Sequence, residues 1–321
     1  MANPLSFILD HGGVVLRHEL IDLGYTDRQI AREVRAGVWH RIRQGAYCDG
    51  SIWSQSTPEQ QHLIKALGVR RTTPGDIAFS HTTALLLHGI AVWGADLQRV
   101  HATRLDEGSK RQESDVDHHV GQIDTSQLVS VDGLQVVEPT RALIDHAGIV
   151  SVEAGLVSVD SALGMGLSMP GDLFAQHDAC GHWPGQQRVH LVLRWMDGRS
   201  GSAGETRGRY LFKKCGLPIP DLQFRVSERA TGRLLGITDY WWERARVFGE
   251  FDGRIKYGRL MNPGEEPGDV VFREKRREDL IRAELNARCF RLTWADLDRP
   301  KETGQRLADM LGVRPLWKRI S

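Results

Sequence analysis

The chain has 321 residues, of which 40% are hydrophobic and 26% charged, and a formal net charge of +1. Its length is more than one core usually needs and implies two or three domains, in a composition typical of soluble globular proteins. A charge so near neutral does not mark a nucleic-acid binder, so any such role has to rest on local charge.

Four cysteines, Cys48, Cys180, Cys215 and Cys289, lie far apart and make no Cys-x-x-Cys pair. That argues against zinc and a disulfide framework, and it fits a reducing, cytoplasmic setting. No uninterrupted apolar run reaches membrane length, so no membrane partner is expected.

Pro4 to His11 reads as a first helix stopped by Gly12 and Gly13, Arg17 to Leu23 as a second, and Thr26 to Ala36 as a third. Thr26 and Gln29 have the spacing of a capping box. Ile30 and Val34 then face inward together, which leaves Arg28, Gln29, Arg32 and Arg35 outside. Val38 to Tyr47 alternates like the strand pair of a wing. Three short helices and a wing describe a winged helix-turn-helix over residues 1–52. Between Arg17 and Gly45 there are six arginines and four acidic residues, and arginine is suited to bidentate contacts with phosphate and guanine. A solvated helix face is the alternative reading of the same residues.

This pattern, Gly-Gly-Val-Val, helix, Thr-Asp-Arg-Gln-Ile, helix, then Gly-Val-Trp-x-Arg-Ile-x-x-Gly-Ala-Tyr, resembles the N-terminal domain of AbiEi-family antitoxins and related regulators over about Pro4 to Asp49. The resemblance implies DNA binding through Arg28, Gln29, Arg32 and Arg35, with Arg41 and Arg43 in the wing on the backbone.

Residues 53–198 read as a mixed α/β middle domain. Thr57-Pro58 starts a helix, Thr73-Pro74-Gly75 makes a turn, and Ser80 caps a short helix closed by Gly89. Strands are expected at Arg99 to Arg104, Val116 to Val120 and Leu134 to Val137, and helices at Pro139 to Ala147 and Val152 to Leu163. His81, His88, His101, His118 and His119 cluster here without ligand spacing on any one element, which favours structural roles. His81 and Arg141 are candidates for a polar contact that organises the domain. The glycine-rich stretch between Met165 and Gly204 reads as a linker. The pieces Ser-His-Thr-Thr-Ala and Thr-Arg-Ala-Leu-Ile-Asp are similar to the same region of AbiEi-like proteins.

In residues 199–321, Ser202 caps a helix carrying Glu205, and Leu222 to Val226 is a strand. Leu234 to Trp242 and Arg246 to Asp252 form a hairpin through Glu-Arg-Ala-Arg. A turn centred between Arg244 and Ala245 puts Asp239 opposite Glu250, with Asp252 on the same face. Like charges opposite one another destabilise a sheet unless something neutralises them, and a divalent cation such as Mg2+ (or Mn2+) does so. The alternative is an exposed hairpin whose carboxylates pair with Arg244, Arg246 and Arg254. Gly236 and Gly253 lie where the backbone must bend or let a ligand come close. Met261 to Asp269 reads as a polar loop, and Phe272 opens a basic helix with Lys275, Arg276 and Arg277 on one side and Leu280, Ile281 and Leu285 inward. A last strand over Cys289 to Trp294 and a helix over Lys301 to Leu311 complete the chain.

The order of helix Glu, strand Asp, strand Glu-x-Asp-Gly, basic helix and last strand resembles the PD-(D/E)XK nuclease superfamily, in the branch similar to very-short-patch-repair endonucleases, over about Gly201 to Leu311. This implies a restriction-endonuclease-like α/β/α core with Glu205, Asp239 and Glu250 as metal ligands. Where the superfamily pattern ends in Glu-x-Lys, this chain has Asp252, and Lys256 is the candidate to supply the ammonium from a shifted position. Lys275 and Arg276 are candidate DNA contacts. The expectation is an α+β multidomain protein that binds DNA and carries a metal-dependent endonuclease-like domain, in defence, repair or a toxin-antitoxin context. The alternative is an AbiEi-type antitoxin and autorepressor with a degenerate nuclease fold, a cognate toxin as partner and a possible homodimer.

Overall fold

A computed structural model describes residues 13–105, 114–120, 123–180, 184–253 and 267–316. The chain is mixed α/β and divides into two compact units, residues 1–158 with 167–194 and residues 159–166 with 195–321. The expected helix over Pro4 to His11, the loop residues 261–266 and Lys256 lie outside the described residues.

The first unit begins with β1 (Val15–Leu16), α1 (Arg17–Asp22), α2 (Asp27–Arg35), β2 (Trp39–Arg43) and β3 (Ala46–Asp49), whose strands form an antiparallel sheet in the order β1-β3-β2. Thr26 caps α2: its hydroxyl accepts the Gln29 N–H at 3.3 Å while Gln29 Oε1 accepts the Thr26 N–H at 2.8 Å. Ile30 is thereby turned into a small core with Val15, Leu20, Trp39 and Tyr47. Then come α3 (Gly50–Gln55), α4 (Pro58–Thr72), β4 (Ile77–Phe79), α5 (His81–Leu87), β5 (Val100–Arg104), β6 (Val116–His119), β7 (Leu128–Val131), β8 (Leu134–Val137), α6 (Pro139–Ile149) and the first half of α7 (Val152–Gly164), whose residues from Val159 onward belong to the second unit. The five strands β4 to β8 form one mixed sheet in the order β6-β5-β4-β8-β7. Every residue of α6 from Arg141 to Ala147 is buried.

Two sequence expectations change here. Ser80 sits at the start of α5, but its side chain caps no backbone N–H, because its hydroxyl is taken up by His81 Nδ1 at 3.0 Å and by Thr103 at 2.9 Å. The stretch expected to be a linker contains α8 (Pro170–Ala179) and α9 (Gln186–Trp195). Pro170 takes the first-turn position that proline tolerates, and Val189, Val192 and Leu193 give α9 a helical apolar stripe.

The second unit is built on a four-stranded mixed sheet. It holds α10 (Ala203–Lys214), β9 (Asp221–Ser227), β10 (Leu234–Trp242), β11 (Val247–Asp252), α11 (Pro267–Leu285), β12 (Arg288–Thr293), α12 (Trp294–Leu297) and α13 (Pro300–Leu311), in the strand order β12-β11-β10-β9. Strand alternation sends Tyr240, Trp242, Phe251 and Leu292 to one face, against Leu211 and Phe212 of α10 and Leu307 of α13. Val226, Trp241 and Phe248 go to the other face, against Ile281 of α11. Helices therefore cover both faces of this sheet. Gly204 and Gly208, one turn apart on α10, let that helix approach closely: a Cβ would strike the Phe251 ring at the first and Tyr240 and Leu292 at the second. α11 starts at Pro267, earlier than expected; Leu280 is exposed while Ile281 is buried, and Trp294 opens α12 instead of ending the strand.

Candidate carboxylate cleft

The pairs Tyr240↔Gly249, Trp241↔Phe248 and Trp242↔Val247 fix the hairpin register, and the next residues along are Asp239 and Glu250. The ladder stops there. Upstream of Tyr240, β10 pairs with β9, whereas Glu250 to Asp252 pair with β12. At this fork the Asp239 carboxylate accepts the Phe251 N–H at 2.7 Å, which the diverging strands would otherwise leave without its ladder partner. Asp239, Glu250 and Asp252 line one small cleft with Arg277 and Arg291.

Glu205, on the first turn of α10, is buried. Its carboxylate accepts the Gly201 N–H at 2.8 Å, the Ser202 hydroxyl at 2.8 Å and the Gln223 amide at 2.8 Å. Gln223 Nε2 also lies 3.5 Å from Asp239 Oδ1. Glu205 is thus joined to the cleft through Gln223, a residue the sequence reading did not single out. Its backbone is left-handed, at φ 51° within a strand, an uncommon conformation for a residue with a side chain.

The cleft is electrostatically tense. Burial pushes the Glu250 carboxyl above its ordinary range and the like charge of Asp239 adds to this, while Arg277 opposes it from 2.9 Å. Arg291 lies 3.7 Å from Asp252 and also pairs with Glu278. Of the arginines expected to pair on a solvated hairpin, Arg246 instead donates to the carbonyls of Leu285 and Asn286, and Arg254 lies outside the described residues. Arg277 is one helical turn before Ile281, so it lies on the inward stripe of α11, and that i, i+4 spacing was the available signal. Gly236 lies at a break in the β9–β10 register, and a Cβ there would sit 2.9 Å from Ile281, so the close neighbour is α11.

Among the described residues no group of three His, Cys, Asp or Glu side chains is arranged to hold a metal ion. Mg2+ keeps several waters and commonly takes only one or two protein carboxylates besides substrate phosphate. Asp239 and Glu250, two hard oxygen donors on one cleft wall, fit that requirement; Glu205 fits an outer supporting place.

The expected DNA contacts fall into two groups. Arg28, Arg32, Arg35 and Arg41 are exposed in the first unit, as are Lys275 and Arg276 in the second. Gln29 is committed to its capping box. Arg43 is turned to Asp115 at 3.2 Å with its side chain only 13% exposed, which removes it from the surface that a phosphate would reach.

No protein-family profile matches the chain. It is similar to two proteins of Mycobacterium tuberculosis, uncharacterized protein MT2308 of strain CDC 1551 / Oshkosh and uncharacterized protein Rv2248 of strain H37Rv. Each is 23% identical over 295 residues, covering 87% of this chain and all of the relative. Among solved structures, the RV2827C protein from Mycobacterium tuberculosis aligns with a TM-score of 0.38 and 16% identity, over 61% of this chain and 74% of that one. Among the described residues no helix is long and apolar enough to cross a membrane.

Proposed function

We propose that the chain is a DNA-binding protein with an AbiEi-like winged helix at its N-terminus and a PD-(D/E)XK-type, metal-dependent endonuclease-like domain at its C-terminus, acting on phosphodiesters. The observation that carries this reading is the cleft beyond the end of the β10–β11 ladder that Asp239 and Glu250 both line, with Glu205 tied in by Gln223. Mg2+ or Mn2+ at Asp239 and Glu250 would polarise the scissile phosphate and lower the pKa of an attacking water. Gln223 holds Asp239 and Glu205 in place. Arg277 and Arg291 supply the cleft's positive charge where Asp252 replaces the usual lysine, and they stabilise the charge that develops on the phosphate oxygens. Arg28, Arg32, Arg35 and Arg41 position DNA, with Lys275 and Arg276 as backbone contacts of the second unit.

A second reading is favoured by one contact. Arg277 already neutralises Glu250 at 2.9 Å, as an ion pair would in a fold that no longer cleaves. In that reading the protein is an AbiEi-type antitoxin and autorepressor, with the second unit kept for a cognate toxin or for a homodimer.

Cleavage of supercoiled plasmid with Mg2+ or Mn2+ separates the two. Nicking that falls by on the order of 10²-fold or more in both Asp239→Ala and Glu250→Ala supports the enzyme. No nicking, with DNA binding lost only in Arg28→Ala/Arg32→Ala, supports the repressor.

A further inference from the structure

The first unit contains a cavity of about 610 Å³, remote in sequence from the carboxylates and lined within that unit by parts of α5, β5, β6, α6 and α9. We propose that it binds a small organic phosphate monoester, of sugar-phosphate or mononucleotide size.

Its charged lining among the described residues consists of Arg141, Arg188 and Asp145, a net positive wall. The Arg141 side chain is 6% exposed and held in one orientation: Nε donates to Asp145 Oδ1 at 3.0 Å and Nη1 to Gln127 Oε1 at 2.9 Å. A buried guanidinium fixed in this way loses little freedom when it meets an anion, and its planar fork matches phosphate oxygens. Arg188 is exposed, and donates to the Val150 carbonyl at 3.2 Å.

The imidazoles of His81 and His119 line the same cavity, stacked with centroids 3.6 Å apart and planes 18° from parallel. His81 is held in the left-handed region at φ 48°, strain of the sort that collects where a surrounding structure fixes a functional group. The Ser80 hydroxyl, which accepts from Thr103 at 2.9 Å, lies 3.0 Å from His81 Nδ1 and fixes the orientation of that ring. Two guanidiniums beside two imidazoles suit a group with three terminal oxygens better than a single carboxylate. Ile144 and Ile149 give the cavity an apolar wall for the organic part, and its volume lies within the roughly 300–1,000 Å³ of small-molecule sites. Inorganic phosphate alone would leave most of that space unfilled.

The test is calorimetric titration of the full chain with ribose 5-phosphate, with ribose and inorganic phosphate as controls at matched ionic strength. One site for ribose 5-phosphate is expected, with ribose silent and inorganic phosphate weaker. Arg188→Ala, an exposed position that tolerates truncation, and His81→Asn, which tolerates the left-handed backbone, should each weaken binding about tenfold. Glu250→Gln in the other unit should leave it unchanged, which separates this site from the carboxylate cleft. The proposal is overturned by no binding at millimolar concentration, by equal affinity for inorganic phosphate, by binding that survives both first-unit substitutions, or by loss in Glu250→Gln.

Discussion

The two units differ in the polar groups that dominate their interiors. In the second, charge is met by charge: Glu250 by Arg277, Glu278 by Arg291, and Asp160 by Arg209, the last pair with side chains only 1% and 6% exposed. In the first, His62, His81, His101 and His146 are buried among hydroxyls, carbonyls and one another, and burial lowers the pKa of each. Arg141 with Asp145 is a buried ion pair of the first unit and Glu205 of the second is met by neutral donors, so the difference lies in the buried imidazoles, which depend on staying neutral, and in the number of ion pairs, which depend on staying charged.

The largest expected effect that would break this contrast is at Asp160 and Arg209. Arg209→Ala strands a buried carboxylate and should destabilise the second unit by about 3–5 kcal/mol in urea unfolding. A loss under about 1 kcal/mol would mean that the pair is dispensable.

Acidification comes next. Burial lowers His101 to about 4 and His146 to about 3, so between the unfolded imidazole value and those pKa values the unfolded chain binds the protons that the folded chain refuses. Their stability is fully present above the unfolded value and is lost as pH falls, by about 2 kcal/mol for each imidazole between pH 6.5 and 5. Asp145 acts in the other direction: burial raises it to about 6, so it gains stability as pH falls below that, which offsets part of the loss. Thermal melts at pH 7 and pH 5 should show the first unit weakened, and a His146→Asn variant should flatten the dependence. An unchanged melt would contradict the neutral-imidazole core.

A smaller change sharpens the cleft itself. Arg277 holds Glu250 down against its burial, so Arg277→Ala should raise that carboxyl and move the acid limb of any cleavage profile to higher pH. A profile that keeps its position would remove Arg277 from the site. The smallest effect is expected at the surface: Lys275→Ala should weaken DNA binding uniformly across sequences and lower the salt slope by about 1. An unaltered slope would take Lys275 off the DNA.

Much of the second unit was legible because strand arithmetic is local. A turn centred between Arg244 and Ala245 implies the register that Tyr240↔Gly249, Trp241↔Phe248 and Trp242↔Val247 keep, and the ladder ends one step short of Asp239 and Glu250. Gln223 was not legible, because its role depends on a left-handed backbone that breaks the strand alternation used to read faces. In the first unit, His81, His101 and His119 come from α5, β5 and β6 and meet only in the fold, so no single element shows ligand spacing. α8 and α9 were hidden by the glycines around them. Arg43 read as a wing residue because its partner Asp115 lies far along the chain.

The most direct measurement is Mn2+ binding to the full chain, followed by the loss of the free-ion electron paramagnetic resonance signal. The proposed cleft predicts one site per chain in the wild type, abolished in Asp239→Asn and in Glu250→Gln but retained in Arg188→Ala. Binding that persists in both carboxylate variants, or none in the wild type, would contradict a hydrolytic metal site at the fork of β10 and β11.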